Sequence, residues 1–66
     1  MRLIVNGEPC EMAAETTLDT LLRALNMPPE RVATLVNDHV VRKESRLATS
    51  LKEGDRVEAF TFACGG

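Results

Sequence analysis

A single helical stripe of leucines constrains the fold of this chain most, because the segments around it follow a different hydrophobic period. The stripe consists of Leu18, Leu21, Leu22 and Leu25, at the i, i+3, i+4 and i+7 positions of one helix face. Thr16 and Asp19 fit an N-terminal capping pattern. Asn26 can take the left-handed conformation that ends a helix, and Pro28-Pro29 prevent its continuation. The pattern predicts one helix from Thr17 to Leu25, which needs burial of its leucines to be stable.

The segments on either side of this helix alternate between apolar and polar residues, as half-buried strands do. Asn6-Gly7 is the strongest short signal for a hairpin, since both positions of a type I′ turn need a positive φ. The predicted strands cover residues 1–6, 8–13, 32–37, 40–41 and 56–62. A turn at Lys52-Glu53-Gly54-Asp55 precedes the last strand. Residues 42–51 lack a clear period and are predicted to contain a turn or a short 3₁₀ segment.

This order of elements predicts an α+β fold, with one main helix packed across one face of a mixed sheet of four to five strands. A right-handed crossover after the helix sets the strand at residues 32–37 parallel to one strand of the hairpin. If the first and last strands are adjacent in the centre of the sheet, the arrangement is the ubiquitin-like β-grasp. The predicted domain covers residues 1–62, and residues 63–66 are predicted to form a free, flexible C-terminal tail.

Size and cysteine spacing argue against an enzyme with its own active site. A domain of about 60 residues buries only roughly 60% of its unfolded surface, which leaves little room for an enclosed substrate cavity. Cys10 and Cys64 lack C-x-x-C spacing, and the lone His39 cannot complete a zinc site with them. We therefore expect no catalytic residues, no metal and reduced thiols.

Charge and hydropathy exclude further classes. Eight basic and ten acidic side chains give a formal net charge of −2, without the basic footprint of a nucleic-acid binder. No run approaches the roughly 20 apolar residues of a membrane span, and the apolar N-terminal stretch is shorter than a signal-peptide core. We expect a cytoplasmic protein that binds neither nucleic acid nor membrane. The basic cluster of Arg42, Lys43 and Arg46 is interpreted as a solvated loop, with a docking patch for an acidic partner as the alternative.

The sequence closes with Gly65-Gly66, directly after an apolar strand. Two glycines carry no Cβ atoms, so this segment can adopt backbone conformations closed to other residues and can thread a narrow slot. We therefore expect the Gly66 carboxylate to be the working group, presented by a tail of Ala63, Cys64, Gly65 and Gly66. The alternative is a chance glycine pair at a frayed terminus.

The alternation of the last strand predicts a second functional feature. Val57 and Ala59 share one face, whereas the other face carries the charged Glu58 together with both phenylalanines. Since burying a charge is costly unless it is paired, we place Val57 and Ala59 beneath the helix. The predicted partner-binding surface then lies on the open face of the sheet and consists of Ile4, Leu35, Phe60 and Phe62. The alternative is that the two phenylalanines fill the core.

Several motifs also occur in an order typical of one family. They are the Asn6-Gly7 turn, the Thr17-Leu18-x-x-Leu21-Leu22 helix, Pro29-Glu30-Arg31-Val32-Ala33 leading to Val36-Asn37 and Val40-Val41, Lys52-Glu53-Gly54-Asp55-Arg56-Val57-Glu58, and the terminal Gly65-Gly66. In this combination the chain resembles the ThiS family, the small sulfur-carrier proteins of thiazole formation in thiamine biosynthesis. The resemblance runs from Met1 to Gly66, at the family's usual length.

This resemblance implies a ubiquitin-like carrier that is acted on by enzymes and is not itself an enzyme. A ThiF-type adenylating enzyme would use ATP and Mg²⁺ to convert the Gly66 carboxylate into an acyl-adenylate. Sulfur supplied from cysteine through a cysteine desulfurase would replace the adenylate and leave a thiocarboxylate on Gly66. A ThiG-type thiazole synthase would then take that sulfur. No cofactor is expected to stay bound to the carrier itself.

Other functions stay open from the residues. One alternative is a sulfur carrier for another pathway, such as the small subunit of molybdopterin synthase or a secondary-metabolite carrier. Another is a ubiquitin-like modifier that becomes amide-linked to lysines of other proteins. A third is a purely structural β-grasp interaction module, for which Gly66 would be dispensable.

Cys64 departs from the tail of the family, which more often has a small, unreactive residue at this position. We interpret Cys64 as a small apolar side chain without a chemical role. The alternative is a thiol that takes part in persulfide or disulfide exchange with a partner, as exposed thiols do when enough thiolate is present.

Overall fold

The computed structural model describes residues 1–61, which form one sheet with an α-helix packed across it. The strands are β1 (Arg2–Val5), β2 (Glu8–Glu11), β3 (Val32–Val36), β4 (His39–Val41) and β5 (Arg56–Thr61), and the helix is α1 (Leu18–Ala24). Short 3₁₀ turns lie at Pro29–Arg31 and Lys43–Ser45, so the predicted 3₁₀ segment between residues 42 and 51 is confirmed. Phe62 and the predicted tail at residues 63–66 lie outside the described residues, and the predicted domain boundary stays a prediction.

The sheet has five strands in the order β2-β1-β5-β3-β4. β1 and β5 are parallel and adjacent near the centre, and the other neighbouring pairs are antiparallel. β3 consequently runs in the same direction as the hairpin strand β2, as the crossover argument predicts, although the two strands are not neighbours. The predicted mixed sheet with a β-grasp arrangement is therefore confirmed.

Two tight turns with positive φ join the antiparallel pairs at the two edges of the sheet. Asn6 and Gly7 have φ values of 51° and 85° between β1 and β2, which confirms the predicted hairpin. Asn37 and Asp38 have φ values of 52° and 70° between β3 and β4. Asparagine and aspartate tolerate this region better than other residues with a Cβ atom, because their short side chains form local hydrogen bonds.

The helix begins one residue later than the capping pattern predicts. Thr17 is the N-cap, and its Oγ1 accepts a hydrogen bond from the Thr20 N–H at 3.2 Å. Thr16 is instead buried, and its hydroxyl donates to the Ala13 carbonyl at 2.6 Å. Its own carbonyl accepts from the Leu51 N–H at 2.9 Å, so contacts with a distant loop hold Thr16 outside the helix. The predicted helix end is confirmed, since Asn26 has a φ of 59°.

The core lies between α1 and one face of the sheet. One cluster of buried residues joins the helix to β1, to β5 and to the loop that precedes β5: Leu3, Val5, Leu18, Leu21, Leu51 and Val57. A second cluster joins Leu22 to Val32 and Ala59. Val57 and Ala59 are therefore beneath the helix, as predicted from the alternation of β5. The leucine stripe is stable because the sheet removes its apolar surface from water.

The predicted solvated basic loop is wrong at Arg46, whose exposed fraction is only 3%. Its guanidinium donates to the Pro29 carbonyl at 2.9 Å, to the Val32 carbonyl, and to the Thr34 Oγ1 at 3.3 Å. Thr34 is the β3 residue paired with the last residue of β4, Val41. Arg46 therefore occupies the position beside Val32 where a longer β4 would continue. Arg42 and Lys43 are exposed, as expected.

We predict that Arg46→Met lowers the free energy of unfolding by about 2–4 kcal/mol, because buried carbonyls lose a charged donor. Arg42→Met, an exposed change in the same loop, serves as the matched control and is expected to alter stability by less than about 0.5 kcal/mol. Urea unfolding followed by circular dichroism measures both. Equal stability of the two variants would contradict a structural role for Arg46.

Candidate functional site

The sheet face opposite α1 carries the predicted partner-binding residues that the structure describes. We call this face the outer face. Ile4 and Leu35 are half-buried there, and Phe60 has an exposed fraction of 54%. The alternative that Phe60 fills the core is therefore wrong, since its neighbours Ala59 and Val57 take the core positions of β5. Phe62, the fourth predicted member, lies outside the described residues.

Strand register divides the apolar residues of the outer face into two groups. Leu35 lies opposite Glu58, and Phe60 lies opposite Ala33 on the β3 side of β5. Ile4 lies opposite Arg56 on the β1 side. The charged residues of β5 consequently stand between Ile4 and the group around Leu35 and Phe60. The predicted surface shares one face, but it is not one continuous apolar patch.

The register adds apolar residues that sequence reasoning missed. Val40 pairs with Leu35 across β3 and β4 and has an exposed fraction of 75%, which makes it the most exposed large hydrophobic residue of the described chain. Pro9 pairs with Ile4 across the hairpin and is also exposed. The alternation of Val40 and Val41 is a weak signal for one inward and one outward side chain, but a strand of three residues gives too short a pattern to assign them.

Exposed ion pairs lie beside both apolar groups. Arg2 Nε is 3.4 Å from Glu11 Oε2 at the open end of the hairpin, away from its turn. Arg56 Nη2 is 3.1 Å from Asp38 Oδ2 near the turn between β3 and β4. Such exposed pairs contribute little to stability. The outer face thus combines two apolar groups with charged residues between and beside them.

An open depression lies beside the last residues of β5 that the structure describes. It has a volume of about 440 Å³ and is lined by Asn6, Gly7, Glu58, Ala59 and Phe60. The hairpin turn forms one wall and the exposed phenylalanine the other. The β5 residues that line the depression come shortly before the C-terminal segment, which carries the predicted working group, the Gly66 carboxylate.

The described residues provide few groups for chemistry. Within residues 1–61, no three His, Cys, Asp or Glu side chains converge as ligands for a metal ion. No helix in the same part of the chain has the length and apolar composition that a bilayer span requires. Asp55, predicted to shape a turn, accepts a hydrogen bond from the Lys52 N–H at 2.8 Å, as expected. The other predicted site residues, Ala63, Cys64, Gly65 and Gly66, lie outside the described residues.

These features define the class of protein. A mixed sheet with a parallel central pair, a helix across one face and an open opposite face is a β-grasp domain. The crystal structure of the thiamine biosynthesis protein (ThiS) from Geobacter metallireducens has the same fold, with a TM-score of 0.86 and 38% sequence identity over 100% of both chains. The sequence profile of the ThiS family matches residues 3–66. The chain belongs to the ThiS family.

Relatives of this chain include longer proteins. A protein named thiazole synthase from Magnetococcus marinus is 41% identical over 66 residues, which are 100% of this chain and 20% of that protein. The chain thus spans about a fifth of the length of the curated thiazole synthases that it matches. A protein named ycf40, described as uncharacterized, from Pyropia yezoensis is 34% identical over 62 residues, 94% of this chain and 87% of that protein.

Proposed function

We propose that this ThiS-family protein carries sulfur for thiazole formation in thiamine biosynthesis, as a thiocarboxylate on Gly66. An adenylating enzyme of the ThiF type joins the Gly66 carboxylate to the α-phosphate of ATP and releases pyrophosphate, with Mg²⁺ offsetting the phosphate charge. A persulfide that a desulfurase forms from cysteine then attacks the acyl-adenylate and displaces AMP, and a reducing thiol cleaves the S–S bond of the resulting acyl disulfide to leave the thiocarboxylate. Thiazole synthase takes the sulfur from the thiocarboxylate. The carrier supplies the acyl group and its delivery, and the partners supply the catalytic groups.

The match of the ThiS family to residues 3–66 carries this proposal, because it extends through both terminal glycines. A carrier of this kind needs a rigid body that a partner recognises and an unobstructed acyl group that reaches the partner's active site. The β-grasp sheet supplies the body. The four residues from Ala63 to Gly66 span at most about 13–14 Å when extended, which is enough to enter a cleft.

The longer relatives favour thiazole synthase as the sulfur acceptor. The proteins from Magnetococcus marinus and Paramagnetospirillum magneticum are both named thiazole synthase, and each contains a segment similar to this whole chain. A carrier that is covalently joined to its acceptor meets it at a high effective concentration. This arrangement supports thiazole synthase over molybdopterin synthase or a protein lysine as the destination of the carried group.

We propose the outer face as the docking surface for the adenylating enzyme and for thiazole synthase. Its predicted members are Ile4, Leu35, Phe60 and Phe62, and the register of the sheet adds Val40. Among the described members of this surface, Phe60 is the aromatic one and lies nearest to the C-terminal end of β5. It is therefore the best candidate for an anchor. Contact at this position brings the segment after Thr61 to the partner.

We predict that the chain with Gly66 at its C-terminus gains the mass difference of one sulfur for one oxygen. The reaction contains ATP, Mg²⁺, the adenylating enzyme, a cysteine desulfurase with cysteine and a reducing thiol, and intact-mass spectrometry measures the product. A variant without Gly66 is the control and is expected to keep its mass. A covalent conjugate of higher mass would instead indicate a protein modifier, and an unchanged mass of the intact chain would contradict the carrier function.

We predict that Phe60→Ala weakens binding to the adenylating enzyme about 5- to 30-fold, as loss of an aromatic anchor does. Isothermal titration calorimetry measures this affinity. Because Phe60 is half exposed, the free energy of unfolding is expected to fall by less than about 1 kcal/mol. Leu47→Ala is the matched control, since Leu47 is 70% exposed and lies outside the strands. Equal loss of affinity in both variants, or unfolding of Phe60→Ala, argues against docking through Phe60.

We predict that Cys64→Ala forms the Gly66 thiocarboxylate at the wild-type rate, because a small apolar side chain suffices before the two glycines. The same mass assay, sampled over time, measures the rate. An abolished reaction in the Cys64→Ala variant would assign a chemical role to the thiol, such as persulfide exchange.

A further inference from the structure

The side chain of Asn6 continues the central ladder after the backbone of β1 has turned away. The backbone N–H of Asn6 donates to the Val57 carbonyl at 2.8 Å, and the hairpin turn begins at the same residue. The side-chain Oδ1 of Asn6 accepts a hydrogen bond from the Ala59 N–H at 2.9 Å. Its Nδ2 donates to the Ala59 carbonyl at 3.3 Å. The carboxamide thus substitutes for one further peptide group of β1.

This contact lies at the end of β5 that leads to Gly66. β1 pairs with β5 only as far as Val57, whereas β3 pairs with β5 as far as Thr61. Beyond Val57, the Asn6 carboxamide is the described group that bonds β5 from the β1 side. Asn6 and Ala59 also line the open depression beside the last described residues of β5. Asn6 therefore bonds β5 on the β1 side, beyond the point where the pairing of β1 with β5 ends.

Asn37 makes the corresponding contact at the opposite end of the same strand. It also occupies the first position of a turn with positive φ, and its Oδ1 accepts from the Arg56 N–H at 2.9 Å. Its Nδ2 donates to Asp55 Oδ1 at 3.0 Å. β5 is thus held at its beginning by Asn37 and near its end by Asn6. The two asparagines share residue type, turn position and number of bonds, and they differ in the end of β5 that they hold.

We infer that Asn6 is a positioning residue, whose carboxamide fixes the course of β5 at Ala59 and so directs the Gly66 carboxylate to the active site of the docked adenylating enzyme. The inference rests on the proposed function. Gly66 is the seventh residue after Ala59 and lies at most about 23 Å away at 3.3 Å per residue, so a swing of about 10° at Ala59 shifts the far end by up to about 4 Å. A misplacement of about 1 Å in a reacting group can reduce a rate about 100-fold.

The effect should appear in kcat and not in KM. The pairing of Phe60 with Ala33 of β3 does not depend on the Asn6 side chain, so Asn6→Gly keeps the outer face in place and KM for the carrier should change less than about twofold. Loosening the end of β5 lowers the fraction of bound carriers whose carboxylate meets the α-phosphate, and kcat should fall about three- to tenfold. Because glycine has a wide range of allowed backbone conformations, Gly65 can compensate for part of the displacement, and the expected loss of kcat is smaller than this limit of about 100-fold.

The experiment compares Asn6→Gly with Asn37→Gly as its matched control. Glycine keeps the positive φ at either turn and removes only the side-chain bonds. Steady-state pyrophosphate release by the adenylating enzyme gives kcat and KM, and amide hydrogen exchange reports the Ala59 and Arg56 N–H groups. We expect faster exchange at Ala59 in Asn6→Gly and at Arg56 in Asn37→Gly, with kcat lowered only in Asn6→Gly. Asn6→Asp keeps an acceptor for the Ala59 N–H and should give a kcat between those of the wild type and Asn6→Gly. If Asn6→Gly does not fold, the kcat of Asn6→Asp tests the inference in its place.

Two results overturn the inference while the proposed function stands. One is a wild-type kcat for Asn6→Gly despite faster exchange at Ala59. The other is an equal loss of kcat in Asn37→Gly, which would make the effect a general loosening of β5. Absence of pyrophosphate release with the wild-type chain would overturn the proposed function, and this inference with it.

Discussion

The parallel pairing of β1 with β5 is the contact on which the rest of the structure depends. It joins the first and last described strands, so the centre of the sheet forms only when residues more than 50 positions apart meet. Val57 then lies beneath α1, and the leucine stripe gains the surface that it needs. The strand that completes the core is also the strand that continues toward Gly66. β5, the last described strand before the C-terminal segment, is thus the central strand of the sheet.

Alternation along β5 separates the two roles of the sheet. Val57 and Ala59 contribute to the core, while Glu58 and Phe60 face outward. One strand can therefore contribute to the core and to the outer face at once, because successive side chains point to opposite faces. Glu58 and Arg56 among the apolar residues keep the outer face charged, which limits a contiguous exposed patch of the kind that promotes aggregation.

Three polar side chains complete hydrogen bonds that the short strands leave unmade. Asn6 and Asn37 bond the backbone of β5 beyond the reach of the neighbouring strands, and Arg46 bonds carbonyls beside the short β4. Buried backbone groups need such partners, since an unsatisfied donor or acceptor costs about 1–3 kcal/mol. In a domain of 66 residues, whose core is small, these bonds replace the longer strands that a larger sheet would use.

The sequence by itself determined the helix, the strands, the Asn6-Gly7 turn and the inward side of β5, because hydrophobic period and turn chemistry act between near neighbours. It also supplied Ile4, Leu35 and Phe60 as members of one face. Only the tertiary structure decided that Thr17 caps the helix, that Arg46 is buried, and that Val40 joins the outer face while Arg56 and Glu58 divide it. Those features depend on strand register and on contacts between distant segments, which no local pattern encodes.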